Sequence, residues 1–444
     1  MMRRDADSDA GSVRLRPEAA EPTAGLVRPL GAFERLYHLR QQKNTMHFCM
    51  VAELADDLDP YVLDAALLAV QRRHPLLNVY VKDDPLAGLG FYRPTRVPAI
   101  PVTVIDAETG CTWRDVVAGE LTRPFDTSIA PMIRVVLLRS GPSSPAAIVL
   151  TVDHAIADGM SAGYILRDVF SALNGRELAA LPVPPSQEKL LRRLRHAQPT
   201  AALAANGQLP PAQPDWFTTR NTIRHFDGAP PHISAVCFDE DLTRRLVTRA
   251  GAEHTTVHSA LLSAMTRVIC ESGRSEFVRL VTPVEFRSLI GVHDDVCLYF
   301  TAARTVFTRE QLTDLWEMAR IVGNQLAVAR SRPAVVGASA ATQAFIGVDA
   351  TPTDAEDFMI RSLSFEAFAS NLRVLDMGRP LVVRPVAIWG PAILVQVQGE
   401  NRAGITTFNG QLRIVSASHD PLPDYLDRVR DVVEAACWTR RLAR

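Results

Sequence analysis

Residues 146–175 read AAIVLTVDHAIADGMSAGYILRDVFSALNG, and the fold is decided here. The opening AAIVLTV (146–152) is short, apolar and β-branched and predicts a strand. From Ser161 to Asn174 the pattern predicts a helix, with Gly175 placed to end it. Between them a tight polar loop, Asp153-His154-Ala155-Ile156-Ala157-Asp158-Gly159, frames one histidine. An unperturbed imidazole titrates near about 6.5, so His154 is the one side chain of the loop that is neutral near neutral pH and still able to take a proton. A general base for a hydroxyl or an amine needs that property. Asp158 can turn back within the loop or pair with a cation. Gly159 permits backbone angles closed to other residues and lets its N–H approach a ligand closely. The same letters also arise by chance; the strand in front and the helix behind give this instance its weight.

A second pattern overlaps the first. Gly159-Met160-Ser161-Ala162-Gly163 satisfies the GxSxG phrase of a hydrolase nucleophile elbow, in which the serine follows a strand directly. Here the strand ends near Val152 and Ser161 opens the helix, where an N-cap role is expected. A hydrolase would also need its acid and then its histidine downstream of the serine.

Working outward, PMIRVVLLR (131–139) is a second short apolar strand, separated from 146–152 by the turn cluster SGPSSP, and the two predict an antiparallel pair. DPYVLDAALLAVQRRHP predicts a helix: Asp59 as N-cap, Pro60 at the first position, Leu63, Ala66, Leu67 and Val70 on one face, and Pro75 as the stop. From Leu26 to about Leu181 strand-like and helix-like segments alternate, which predicts a mixed α/β layer. Residues 181–230 turn rich in Pro, Gln, Ala and Arg and read as a connector. A second α/β unit follows, with strands at ISAVCFD, EFVRLVTPVEF, AILVQVQG and GITTFNGQLRIVSAS and helices at DLTRRLVTRAGAE, TTVHSALLSAMTRVICESG and about 310–329. Asn409-Gly410 marks a hairpin turn. The elements of the two halves recur in similar order.

Composition narrows the function. The 444 residues are 47% hydrophobic, enough for one or two cores, and 48 basic against 49 acidic side chains leave no field for a phosphate backbone, so nucleic acid is not expected as a partner. Cys49, Cys111, Cys237, Cys270, Cys297 and Cys437 are too scattered for a metal site or disulfide framework and read as buried thiols in a reducing compartment. The first 25 or so residues lack an apolar targeting core and are expected to be disordered, and no run approaches roughly eighteen apolar residues. A soluble cytoplasmic protein without a transmembrane segment is expected. His258 sits on an apolar helical face and reads as a core histidine, His74 as a helix-end residue, and His293 with Asp294 as loop residues without ligand spacing; no metal site is expected.

The HxxxDG phrase on His154, Asp158 and Gly159 resembles the signature of the condensation-domain and chloramphenicol-acetyltransferase-like superfamily, acyltransferases that use coenzyme A or carrier-protein thioesters. LDAALLAVQRRHPLLN resembles the N-terminal helix of that family, VTPVEFRSLI and DDVCLYFTAARTVF its second-subdomain arginine strand and the segment returning to the site, and SFEAFASNLRVLD its Ser-Asn loop. The resemblance spans about residues 29–430 and is nearest to the polyketide-associated (Pap) acyltransferases, such as phthiocerol dimycocerosyl transferase, which esterify long-chain alcohols. It departs in two places: Asp153 stands where many relatives carry a second histidine, and the Asp-Phe-Gly-Trp-Gly phrase of the plant branch is absent.

The resemblance implies an α/β protein of two chloramphenicol-acetyltransferase-like subdomains in a V-shaped arrangement, each a mixed sheet with flanking helices. The implied division is a tail (1–28), an N-terminal subdomain (29–180), the connector (181–230) and a C-terminal subdomain (231–444). It implies His154 as catalytic base, Asp158, Gly159 and Arg287 as positioning residues with Arg287 paired to Asp158, and Ser370 and Asn371, beside the Gly159 N–H, as candidate oxyanion or substrate contacts. The implied reaction moves an acyl group from an acyl carrier protein or acyl-CoA to a hydroxyl acceptor, forming an ester in polyketide, lipid or other secondary metabolism without a covalent acyl-enzyme. No cofactor is expected to be permanently bound; phosphopantetheine carries the donor. A free-standing condensation enzyme that joins an amine, and an inactive module that docks carrier proteins, are the alternatives. A monomer is expected.

Overall fold

A computed structural model of the chain describes residues 25–106, 110–140, 145–197, 219–378 and 382–438. The N-terminal tail, the interior of the Pro-rich connector and most of the SGPSSP turn lie outside the described residues. The first half contributes strands β1 (Gly25–Pro29), β2 (His47–Leu54), β3 (Tyr80–Asp84), β4 (Gly88–Arg93), β5 (Val102–Ile105), β6 (Ile133–Leu138) and β7 (Ala147–Asp153). With them come helices α1 (Ala32–Gln41), α2 (Pro60–Arg73), α3 (Trp113–Glu120), α4 (Gly159–Leu173) and α5 (Gln187–Ala197). The second half supplies β8 (His232–Phe238), β9 (Phe277–Glu285), β10 (Phe300–Thr308), β11 (Ala367–Val374), β12 (Pro385–Ile393), β13 (Asn401–Phe408) and β14 (Gln411–Ser418). Its helices are α6 (Glu240–Ala252), α7 (Val257–Glu271), α8 (Arg287–Ile290), α9 (Leu315–Ala329), α10 (Arg332–Phe345), α11 (Pro352–Leu363) and α12 (Tyr425–Trp438).

Local chemistry explains the elements that frame the site. All seven residues of β7 are buried, as its apolar reading requires of a central strand, and it pairs antiparallel with β6 on one side and β2 on the other. Asp59 caps α2 by accepting from the Tyr61 N–H at 2.8 Å, and Leu63, Ala66, Leu67 and Val70 are its buried face. That face packs against α4, where Ala162, Ile165, Leu166, Val169 and Phe170 are buried at helical spacing. Asn409 and Gly410 both take positive φ (49° and 75°) and close the β13–β14 hairpin, with Phe408 opposite Gln411.

The two larger sheets are mixed. One runs β10-β9-β11-β13-β14-β8 and a second runs β12-β2-β7-β6-β5, with a three-stranded β1-β4-β3 sheet beside them. A strand of the second half, β12, therefore completes the sheet of the first: Trp389 pairs with Val51 and Ile393 with Phe48. The division at 181–230 is crossed by this strand, so 231–444 is not a self-contained sheet. Close by, Gly404 of β13 lies so near β12 that a Cβ would overlap the Pro391 carbonyl.

Three further expectations are corrected. The described ends of the connector are not a loose link: the Leu181 N–H donates to the Arg73 carbonyl, Glu188 accepts from the Phe33 N–H at 2.9 Å, and residues 187–197 form α5. In AILVQVQG only Ala392 and Ile393 belong to a strand, because the Val395 and Gln396 N–H groups turn to the Glu400 carboxylate at 3.1 and 3.2 Å instead of to a neighbouring strand. Cys237 is exposed, and Cys111 and Cys437 are half-buried, so only Cys49, Cys270 and Cys297 are buried thiols. Among the described residues, no helix is long and apolar enough to cross a membrane.

Candidate active site

The turn from β7 into α4 is held from both ends. At its start Asp153 accepts from the Ala155 N–H at 2.8 Å and from Gln41 Nε2 at 2.5 Å, while Gln41 Oε1 accepts from the Met46 N–H at 2.7 Å. The His154 N–H donates to the Met46 carbonyl at 2.9 Å. Burial pushes the Asp153 carboxyl up to about 7. Asp153 thus fastens the start of the turn through these two bonds.

At the other end Asp158 is the N-cap of α4, accepting from the Ser161 N–H at 2.8 Å. Ser161 is therefore not the cap; it is the third residue of the helix. Its Oγ accepts from Arg287 and from the Cys297 N–H and lies 2.8 Å from both Asp158 Oδ1 and the Cys297 carbonyl. A hydroxyl so fully engaged is no hydrolase nucleophile.

Arg287, on α8 just after β9, reaches Asp158 with Nη1 at 2.9 Å and Nη2 at 3.0 Å, and the Tyr299 N–H adds a bond to Asp158 at 3.0 Å. Burial alone would raise the Asp158 carboxyl, but the Arg287 charge and these donors hold it below the usual carboxylate range. Burial opposes the Arg287 charge while Asp158 raises its proton affinity more. Among the described residues no hydrogen bond joins Asp158 to the imidazole; the carboxylate is taken up by Arg287, Ser161 and Tyr299 and anchors the turn.

The His154 ring faces a cavity of about 280 Å³ between the two halves. Tyr37 stacks on it with centroids 4.2 Å apart, and Phe48 and Phe300 flank it at 5.0 and 5.7 Å. Burial pulls the imidazole down to about 4, so it is unprotonated near neutral pH. Its Nδ1 is buried without a hydrogen-bond partner, which leaves Nε2 as the nitrogen on the cavity side. Most of the wall is apolar, from Phe33, Met46, Phe358, Met359 and Phe368.

Gly159, Ser370 and Asn371 line the same cavity. Gly159 has no positive φ, so the expectation of a special backbone angle is corrected: the restriction is steric, since a Cβ would come 2.8 Å from Leu372 Cδ2. Asn371 Oδ1 accepts from the Arg373 N–H at 2.8 Å, which leaves its amide Nδ2 as a donor. His258 is half-buried on α7 and bonds Thr282 at 2.8 Å; it does not line the cavity. His74 does more than end α2, since its Nε2 meets Asp168 of α4 at 2.8 Å. Asp294 pairs with Arg73 and Arg167. Among the described residues no cluster of His, Cys, Asp or Glu is placed to hold a metal ion.

Among the cavity residues that have no counterpart in the sequence reading are Tyr37 and Arg402. The signal for Tyr37 is that the charged helix FERLYHLRQ is buried along its whole length, which composition alone conceals. Arg402 is the one charged residue of its strand, NRAGITTF, and that isolation is its only mark.

Comparison with known proteins agrees with the architecture. No protein-family model matches the chain. Tyrocidine synthase 3 of Brevibacillus parabrevis is 24% identical over 305 residues, 65% of this chain and 5% of that protein. Phosphinothricin tripeptide synthetase PhsB of Streptomyces viridochromogenes is 24% identical over 318 residues, 64% of this chain and 25% of that protein. The chain thus spans only a quarter or less of these relatives' lengths. Among solved structures, polyketide synthase associated protein 5 from Mycobacterium tuberculosis superposes with a TM-score of 0.64 at 15% identity, covering 94% of this chain and 99% of that one. The condensation domain of the Monacolin K polyketide synthase MokA superposes with a TM-score of 0.61 at 14% identity, covering 94% and 98%. The chain shares the fold of these solved structures, the condensation-domain fold among them.

Proposed function

We propose that the protein is an acyltransferase that moves an acyl group from a coenzyme A or acyl-carrier-protein thioester to a hydroxyl acceptor, with His154 as general base. The observation that carries this reading is a neutral imidazole with Nε2 on a largely apolar cavity between two subdomains, presented by a turn that Asp158 and Arg287 fix from behind. Nε2 takes the hydroxyl proton as the oxygen attacks the thioester carbonyl. The tetrahedral species then breaks its C–S bond, and the leaving thiolate takes the proton back from the imidazolium. Ester and free thiol are the products, and no acyl-enzyme forms.

A thioester is already activated, so the protein supplies orientation and a dry site. The Asn371 amide and the Gly159 N–H are the donors on the cavity wall suited to the developing oxyanion, with Ser370 beside them. An amine acceptor would use the same base, and the similarity to peptide synthetases favours keeping amide formation as the second reading.

Purified protein incubated with acyl-CoA and acyl-carrier donors against a panel of alcohols and amines tests the proposal, with product mass reporting the bond formed. Ester formation that disappears in His154→Ala is the expected result. Acyl transfer that survives that substitution unchanged removes His154 from the mechanism, and a panel without any product overturns the reading.

A further inference from the structure

Arg402 is 3% exposed, on β13, with its guanidinium 4.1 Å from the Phe368 ring centroid. A buried cation is costly unless it is paired and hydrogen-bonded. Arg402 is neither in full. Its Nε and Nη1 have no hydrogen-bond partner, and the nearest carboxylate, Glu400, stands 3.6 Å from Nη1. That carboxylate is already committed to the Val395 and Gln396 N–H groups. Across the same cavity the Tyr37 hydroxyl, on a ring that is 7% exposed and stacked on His154, also makes no hydrogen bond among the described residues. Arg402 Nη2 is not among the sealed atoms and has no partner either, so a largely apolar wall with this donor and the Tyr37 hydroxyl near the base suits a ligand that is apolar in body and anionic at one point.

We propose that Arg402 and the Tyr37 hydroxyl receive a carboxylate carried by the acyl acceptor, an apolar hydroxy or amino acid whose nucleophile reaches His154. The assignment rests on the acyl-transfer reading only in taking the occupant as the acceptor; the carboxylate receptor itself stands on the donors just described. Nη2, the guanidinium nitrogen not sealed as Nε and Nη1 are, gives the carboxylate a charge-assisted N–H bond, and the Tyr37 O–H supplies a second. A phosphate would also satisfy these donors, but it brings a second charge into a wall whose only cation is Arg402 and which lies beside Glu400.

Calorimetric titration of the unliganded full-length protein tests this without turnover. The probes are 3-hydroxyoctanoate, its neutral amide 3-hydroxyoctanamide, and octyl phosphate. We expect the carboxylate to bind about tenfold more tightly than the amide, the preference to vanish in Arg402→Gln, and Tyr37→Phe to reduce it about threefold. Tyr37→Phe removes a hydroxyl without a partner and keeps the ring, so it stands as the test should Arg402→Gln fail to fold. His154→Ala is expected to keep the preference, which separates this receptor from the catalytic proposal. Equal affinity for acid and amide, no measurable binding of either, an undiminished preference in both the Arg402 and Tyr37 variants, or tighter binding of octyl phosphate overturns it.

Discussion

The guanidinium of Arg287 grips both carboxylate oxygens of Asp158, at 2.9 and 3.0 Å, although the two residues lie 129 positions apart and both are buried. One ion pair thereby joins the turn carrying His154 to the strand β9 region of the other subdomain. The pair is embedded: Arg287 also donates to Ser161 Oγ and to the carbonyls of Asp295 and Cys297. An isolated buried ion pair is weak evidence for stability, but removing one partner leaves the other charged and dry.

Arg287→Ala or Asp158→Asn is therefore expected to cost about 3–5 kcal/mol in urea denaturation. Replacing both with apolar residues is expected to cost less than the sum of the single changes, because neither charge is then stranded. The pH sign follows from the lowered Asp158 carboxyl: its contribution is present above the ordinary value of 3.8 and is lost as pH falls through the lower folded value. Single variants within about 1 kcal/mol of the parent, a size typical of exposed pairs, would contradict this account.

His154→Ala is expected to lower kcat by about 10²–10⁴-fold while leaving the far-ultraviolet spectrum unchanged. The ring lines a cavity and is packed by Tyr37, Phe48 and Phe300, so its loss enlarges existing space rather than opening a sealed core. A matching fall in melting temperature and activity would instead mark His154 as a structural residue.

Two glycines separate clash with a flexible side chain from clash with backbone. At Gly159 an added Cβ meets the tip of Leu372, which can rotate; at Gly404 it meets the Pro391 carbonyl, which β12 holds in place. Gly159→Ala is expected to cost about 1 kcal/mol or less and to be relieved by Leu372→Ala, whereas Gly404→Ala should cost about 3 kcal/mol or more. Melting curves that rank the two in the opposite order would refute the close approach of β12 to β13.

What was legible in the sequence follows the range of the interactions. The helix Pro60–Arg73, the β6–β7 pair and the Asn409-Gly410 hairpin rest on caps, spacing and turn chemistry within a few residues, and they appear where those signals lie. The start of α4 was misread by two residues because Asp158, with its carboxylate also serving Arg287, outcompetes Ser161 as cap. The exchange of β12 into the first sheet carries no local signal, since its partner β2 lies more than three hundred residues earlier. Arg287 stood out among many arginines only through family resemblance. Arg402 and Tyr37 carried only faint marks, because what distinguishes them is the want of hydrogen-bond partners, and that exists only in the folded chain.

The pH dependence of kcat/KM checks the state of the base. Burial lowers the His154 imidazole to about 4, so the neutral form that accepts a proton persists well below the ordinary value of 6.5. Activity is expected to be level from pH 8 to about 6 and to fall only as pH approaches the lowered value. Unfolding must be separated from titration over that range. His38 and His47 are likewise lowered to about 4 and His258 to about 3, so the unfolded chain takes up protons below 6.5 that the folded chain refuses. Stability is thus present above 6.5 and lost as pH falls toward the folded values. Circular dichroism at each pH fixes the folded fraction, and rates are corrected by it. An acid limb centred at 6.5 or above in fully folded protein would mean that the imidazole is solvated during the reaction, and the dry cavity would lose its place in the mechanism.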